Sequence, residues 1–416
     1  MLTSHRLPDP MLTARSYLAT LAVLLVAGLT SVVLFNWLMN PYGFFNPPRF
    51  DGFNAQQNFG DKMRLRKAVQ IYQQEPRALI LGSSRSGRGF RCTDWPGHSQ
   101  GCYNASLQAI TSYETFRMLQ HASSNGVLEA AVWELNFHGF FDATEQQAGF
   151  VDALYATPES GIDFSYRKQL LHYYLYALVS PESIDASWQS FRFQDKAFGW
   201  FSADSTFIES DGSWGSQPVV EAQRDPAWYH EKKSRGWNFA LQRLARQLGE
   251  LKNTHASRDF LTTSQAYYFE QSLDFLYRHH VATTLILSSG HLAYSRTLWQ
   301  AGLGAEVANW KRFLVQTNER IAAKYSATPF PIMDFYEVSP YTTEADWNQL
   351  PPDQAMQWFA DPSHFNEKLG HEILKAAFSG NVRGSWYNTV NSQNIEQHLR
   401  QLEENNRHYF PEEVAP

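Results

Sequence analysis

The chain has 416 residues, enough for one large α/β domain or two medium ones. Its formal charge of −6 argues against nucleic acid as the main partner, and 43% hydrophobic content is ordinary for a globular protein. Aromatic content is high at 15%, which suits a well-buried core or a surface that stacks on flat ligands.

After an N-terminal tail (1–15), the residues from Ser16 to Pro48 carry no charge. The heart of this segment, "YLATLAVLLVAGLTSVVLFNWLM" (Tyr17–Met39), predicts one transmembrane helix over 16–40. The alternative is a cleaved signal peptide, but the bulky "FNWLMNPYGFF" that follows offers no small-x-small cleavage site. Trp37 and Tyr42 fall where interfacial aromatics belong. Arg6 and Arg15 against Asp9 favour an inside N-terminus. The basic cluster Lys62, Arg64, Arg66 and Lys67 lies beyond the ~15–20 residues over which charge counts most. The expectation is a single-pass protein of the inner or plasma membrane with its body extracytoplasmic (periplasmic). The only two cysteines, Cys92 and Cys102, flank "CTDWPGHSQGC" and would close a small disulfide in an oxidising compartment. Two unpaired thiols are the alternative.

A Pro/Gly/Asn-rich linker is expected over 41–60, then a short amphipathic helix, Lys62–Gln74. Strands follow at Ala78–Gly82, in "GCYNAS" and at Glu129–Phe137, with a helix over Ser112–Ser124. The rhythm breaks over 138–258, a polar-aromatic stretch read as a mostly helical insertion. It resumes with helix Ser264–His279, strand "VATTLILSSG", one or two helices over Leu298–Tyr325, strand "FPIMDFY" and helix Glu367–Phe378. Strands alternating with helices predict a three-layer α/β fold, a central parallel sheet covered on both faces, over 61–380. The remainder, 381–416, reads as a polar tail with "IEQHLRQLEEN" a surface helix.

The chemistry centres on "LILGSSRSGRGF" (Leu79–Phe90). Gly82 to Gly89 nearly fits a phosphate-binding loop, but Arg88 stands at the lysine and Gly89 at the metal-binding hydroxyl. The other reading is a strand-end turn presenting a nucleophilic serine at the carboxyl rim of the sheet. Such a serine needs a base and an acid to orient it. "WFADPSHFNEKLGHEIL" offers Asp361 and His364, three apart before a helix that Asn366 could cap.

Together these blocks resemble the SGNH (GDSL-type) hydrolases. "LILGSSRS" is similar to the first block, with Ser84 as nucleophile and Ser83 in place of the usual aspartate. "YNAS" is similar to the second, with Ser106 where a glycine N–H helps to hold the oxyanion. "ELN" is similar to the third, whose Asn136 side chain would donate to the oxyanion, with Glu134 at the glycine position. "DPSH" supplies Asp361 and His364. The single anchor and Gly-Ser-Ser turn further resemble membrane-anchored D-alanyl-transfer proteins and extracytoplasmic proteins that acetylate exopolysaccharides.

The resemblance implies a serine esterase or O-acyltransferase acting on a cell-envelope glycan, with no cofactor. Catalytic Ser84, His364 and Asp361 would work with an oxyanion hole of the Ser84 and Ser106 amides and Asn136. It also implies an acyl donor, a glycan acceptor and a membrane-bound O-acyltransferase as partners. The competing expectation is a non-catalytic assembly or glycan-binding component that keeps the fold. Arg85 and Arg88 would steer an anionic substrate or serve as ion-pair partners of the turn. His291, after "LILSSG", would line the cleft or be a bonded loop histidine. The histidine spacings suggest no metal site. Aromatic runs of the insertion such as "FRFQDKAFGWF" would bind sugar rings or form its own core.

Overall fold

Alternate residues of a strand face opposite ways, and here that alternation builds two cores. Strands β1 (Ala78–Leu81), β2 (Cys102–Asn104) and β3 (Ala130–Leu135) precede the insertion. Strands β4 (Asp204–Ile208) and β5 (Trp214–Pro218) lie within it, and β6 (Ala282–Leu287), β7 (Ile332–Asp334) and β8 (Asn388–Val390) follow. Leu79, Leu81, Ala131, Trp133, Leu285 and Leu287 join one apolar cluster. Their neighbours Ala78, Ile80, Ala130, Val132 and Ile286 join the other. The computed structural model describes residues 10–55, 62–98, 100–141, 144–194, 204–208, 211, 213–218, 224–255, 263–288, 290–336, 338–378 and 386–410.

The main sheet has the order β2-β1-β3-β6-β7-β8. All neighbours pair in parallel except β7 and β8, so the sheet is mixed rather than purely parallel. β8 arises from the segment expected as a polar tail. Its three residues pair antiparallel with β7 through Ile332↔Val390 and Asp334↔Asn388. The chain moves outward one way from β1 to β2, then the other way through β3. That reversal makes a crevice at the carboxyl ends of β1 and β3.

Helices cover both faces. α1 (Pro10–Met39), α2 (Met63–Gln74) and α3 (Ser84–Gly89) come first, followed by α4 (Ser112–Asn125). The insertion holds α5 (Phe164–Val179), α6 (Pro181–Arg192) and α7 (Pro226–His255) around the antiparallel hairpin β4–β5, so it is helical with a strand pair added. α8 (Ser264–Arg278), α9 (Leu292–Gln300), α10 (Gly304–Lys324), α11 (Glu367–Ala377) and α12 (Ile395–Tyr409) complete the chain. α4 begins with a full capping box between Thr111 and Glu114. The Glu114 carboxylate, fully buried, also receives the Arg64 guanidinium at 2.8 Å.

Ala14–Met39 is long and apolar enough to cross a membrane. At 1.5 Å per residue its 26 residues reach about 39 Å, more than a hydrocarbon core of ~30 Å. Its last turns pack against the domain, where buried Asn36 donates to Leu178 O of α5 at 2.9 Å. Trp37 is partly exposed, but Tyr42 is buried and stacks on Tyr176 with ring centroids 5.9 Å apart, so it is a core residue and not an interfacial anchor. The linker expectation fails at its start for the same reason. Asn40 bonds both backbone groups of Phe45, and Asn54 donates to Leu38 O at 2.7 Å. Residues 56–60 of that linker lie outside the described residues. The basic cluster is largely absorbed by the fold. Arg66 and Lys67 are buried, and Lys67 Nζ donates to Asn104 O under the Tyr103 ring.

Behind the far edge of the sheet lies a buried ionic group. Lys311 and His398 both contact Asp334 Oδ2, at 2.5 and 2.7 Å. Burial opposes ionisation of Asp334, but the Lys311 ammonium and the His398 imidazole outweigh it and hold the carboxyl well below its usual range. This group ties α10, β7 and α12 together.

Candidate active site

β1 ends at Leu81, and Gly82 turns the chain with φ +142°. A Cβ there would lie 2.5 Å from Ser86 Oγ and 2.8 Å from Glu134, so only glycine fits. Ser83 then caps α3, accepting from Arg85 N at 3.2 Å. Ser84 occupies the first position of that short helix, where backbone N–H groups are left without intrahelical acceptors.

The Ser84 hydroxyl lies 2.7 Å from His364 Nε2. His364 Nδ1 in turn lies 2.7 and 2.8 Å from the two Asp361 oxygens. A carboxylate only accepts, so Nδ1 carries the proton and Nε2 is left to accept from Ser84. Burial opposes ionisation of Asp361. The His364 imidazole, its hydrogen bond, Arg88 and the Ser363 amide outweigh that and hold the carboxyl below its usual range. The structure thus brings Ser84, His364 and Asp361 into one line of contacts.

Two clamps hold the turn carrying Asp361 and His364. Glu344 accepts from three successive amides, Gln357 N, Trp358 N and Phe359 N, at 2.7–2.9 Å. His291 donates its backbone N–H to Pro362 O at 2.9 Å. Its side chain caps α9 by accepting from Ala293 N at 3.1 Å, and its Nε2–H donates to Glu344 O at 2.8 Å. Burial pushes the imidazole pKa down, consistent with this neutral pattern. His291 is therefore the bonded loop histidine of the two readings, buried and holding the turn of Asp361 and His364. Asn366 caps α11 as its position predicts, accepting from Lys368 N and Leu369 N.

Two glycines, Gly89 and Gly370, explain how Ser84 and His364 meet. A Cβ on Gly89 would lie 1.9 Å from the Phe365 ring. A Cβ on Gly370 would lie 1.7 Å from Gly89 O. α3 and α11 are thus in backbone contact, which sets Ser84 against His364.

The remaining expected residues divide. Asn136 is three residues past the Leu81↔Trp133 register, as Ser84 is on the adjacent strand, so both sit at the crevice. Its side-chain oxygen accepts from Gly139 N at 2.9 Å. Ser106 is fully buried. Its N–H donates to Asn104 Oδ1 at 3.0 Å and its hydroxyl bonds Ser86 Oγ at 2.9 Å. That amide is therefore already engaged and is not an open oxyanion donor. Arg85 is buried, donates to Ser288 O at 3.0 Å and lies 4.5 Å from the Tyr294 ring centre, so its role is structural. Arg88 remains half-exposed. Cys92 and Cys102 are joined in a disulfide. Among the described residues no cluster of His, Cys, Asp or Glu has the arrangement of a metal site.

Glu134 is the residue whose role the sequence reading missed. Its buried carboxylate accepts from Ser83 N at 2.9 Å, Ser83 Oγ at 2.8 Å and Ser288 Oγ at 2.6 Å. It locks the nucleophile turn to β3 and to the end of β6. A charged residue inside a buried strand was the signal, since such a group must find donors. No protein-family model and no curated protein matches the chain.

Proposed function

We propose that the chain is a membrane-anchored serine esterase or O-acyltransferase of the SGNH type, acting outside the cytoplasm on a cell-envelope or exopolysaccharide glycan. The observation that carries this reading is the continuous Ser84–His364–Asp361 chain of contacts at a sheet switch point. His364 Nε2 takes the Ser84 proton as Oγ attacks an acyl carbonyl. It then returns that proton to the leaving alcohol, while Asp361 steadies the imidazolium. A second proton transfer through His364 lets water or a sugar hydroxyl take the acyl group and releases Ser84. The Ser84 amide and the Asn136 side chain would donate to the developing oxyanion. The apolar helix and the disulfide support the compartment. The acyl donor would come from a membrane-bound O-acyltransferase.

A fluorophosphonate probe tests the chemistry. Wild type should label, and Ser84→Ala should not. Folded wild type that fails to label, or equal labelling of both, would refute the catalytic reading. The engaged Ser106 amide favours one competing reading, a glycan-binding component without turnover, which predicts the first of those results.

A further inference from the structure

A cavity of about 310 Å³ opens beside the Asp361–His364 turn, on the side covered by the insertion. Its lining includes Ala360 and Phe365, the chain neighbours of the acid and the base. Trp214 of β5, Tyr229 and Lys233 of α7, and Trp347 close the opposite wall. Four cations, Arg88, Arg91, Lys233 and Lys368, line it against one carboxylate, Glu367, in a chain whose net charge is −6.

These cations are not equivalent. Arg91 is committed to Glu367 and to Trp214 O, both at 3.0 Å. Lys233 Nζ is held over the rings of Tyr229 and Trp347, at 5.5 and 5.8 Å. Arg88 differs. Among the described residues its side chain makes no hydrogen bond and no ion pair, although it stands near enough to Asp361 to favour the ionised carboxylate. It also follows Ser84 by four residues on α3, which places both on one helix face. A guanidinium with no hydrogen bond among the described residues, in a cation-rich cavity with aromatic walls, asks for a ligand with an anionic group and a ring.

We propose that this cavity is the acceptor subsite and takes an anionic sugar unit. The sugar's carboxylate or phosphate would meet Arg88, with Lys233 adding charge and the aromatic wall receiving the ring. The volume is at the lower end for small-molecule sites, which suits a single ring over a long stretch of polymer. The inference rests on the acyl-transfer reading for the word acceptor, but the binding it predicts does not require turnover.

The test is calorimetry on full-length Ser84→Ala protein in detergent micelles, with trigalacturonate, glucose 1-phosphate and neutral maltotriose as probes. At least one anionic probe should bind about tenfold or more tighter than maltotriose, with a preference that weakens as salt rises. The tighter of the two anions identifies carboxylate or phosphate as the recognised group. Arg88→Gln and Lys233→Gln should each weaken that binding by about tenfold at an unchanged melting temperature. Should Arg88→Gln fail to fold, Lys233→Gln and Lys368→Gln decide. Equal affinity for neutral and anionic probes, or anion binding undiminished in the folded variants, would overturn the subsite. Fluorophosphonate labelling of wild type is read separately. Anion-selective binding without labelling sustains the subsite and sinks acyl transfer, whereas labelling without anion selectivity does the reverse.

Discussion

Gly370→Ala gives the most direct test of how the site is assembled. The added methyl would lie 1.7 Å from Gly89 O and 2.4 Å from Gly89 C, and neither is the movable end of a side chain. Ordinary contact begins near 3.4 Å, so α3 and α11 must part by about 1.7 Å. Ser84 rides on α3, and His364 sits just before α11. Their 2.7 Å contact would open toward roughly 4.4 Å, beyond hydrogen bonding. Overpacking of this kind costs about 1–3 kcal/mol of stability, and loss of a positioned base costs about 10²- to 10⁴-fold in rate. The assay is kcat/KM for hydrolysis of a small aryl acetate, with thermal unfolding in parallel. Gly249→Ala is the control, since nothing lies within 4 Å of its added methyl. It should be neutral or slightly stabilising, by up to about 1 kcal/mol. Folded Gly370→Ala protein with wild-type kcat/KM would refute the claim that this backbone contact sets the distance between nucleophile and base.

Other expectations follow from the same geometry. Glu134→Gln turns one carboxylate oxygen into a donor facing donors, and should cost about 1.5–3 kcal/mol in denaturant unfolding while lowering fluorophosphonate labelling. Asp334→Asn leaves the Lys311 charge buried without its partner and should lower stability by about 3–5 kcal/mol, read from the unfolding midpoint. His121 is buried, with Nδ1 accepting from Ala156 N and Nε2–H donating to Ala68 O, and burial lowers its pKa to about 4. The unfolded chain protonates near 6.5, so it binds the extra proton first as pH falls. Stability should therefore be full above pH ~6.5 and decline by up to about 3 kcal/mol toward pH 4, a slope that His121→Gln reduces.

The strands that bury both faces were plain in the sequence, because "ALIL" is a continuous apolar run and "AAVWEL" is apolar but for Glu134. Ser84, Asp361 and His364 were legible for a related reason. Each stands at or just before the start of a helix, and residue type and chain order then restrict the chemistry. β8 was not legible, since "NTV" is short and half polar and owes its strand state to pairing with β7. α3 was hidden behind its glycines, which are poor helix formers. It exists through the Ser83 cap and the close fit to Phe365 and Gly370. Glu344 carries no local pattern, because its partners are the backbone amides of Gln357, Trp358 and Phe359, and His291 is legible only as a histidine after a strand, its contacts with Pro362 and Glu344 being tertiary. Arg85 and Arg88 look alike as text, and only the burial of the first under Tyr294 separates them.

The contact between α3 and α11 also bears on how the protein is made. Ser84 and His364 are 280 residues apart, so on the proposed reading the nucleophile is synthesised long before its base. A chain interrupted anywhere short of residue 364 carries a serine with no imidazole to activate it. Under the proposed chemistry, reactivity would arise only when the stretch carrying His364 docks against the stretch carrying Ser84, which makes synthesis through α11 a condition for it.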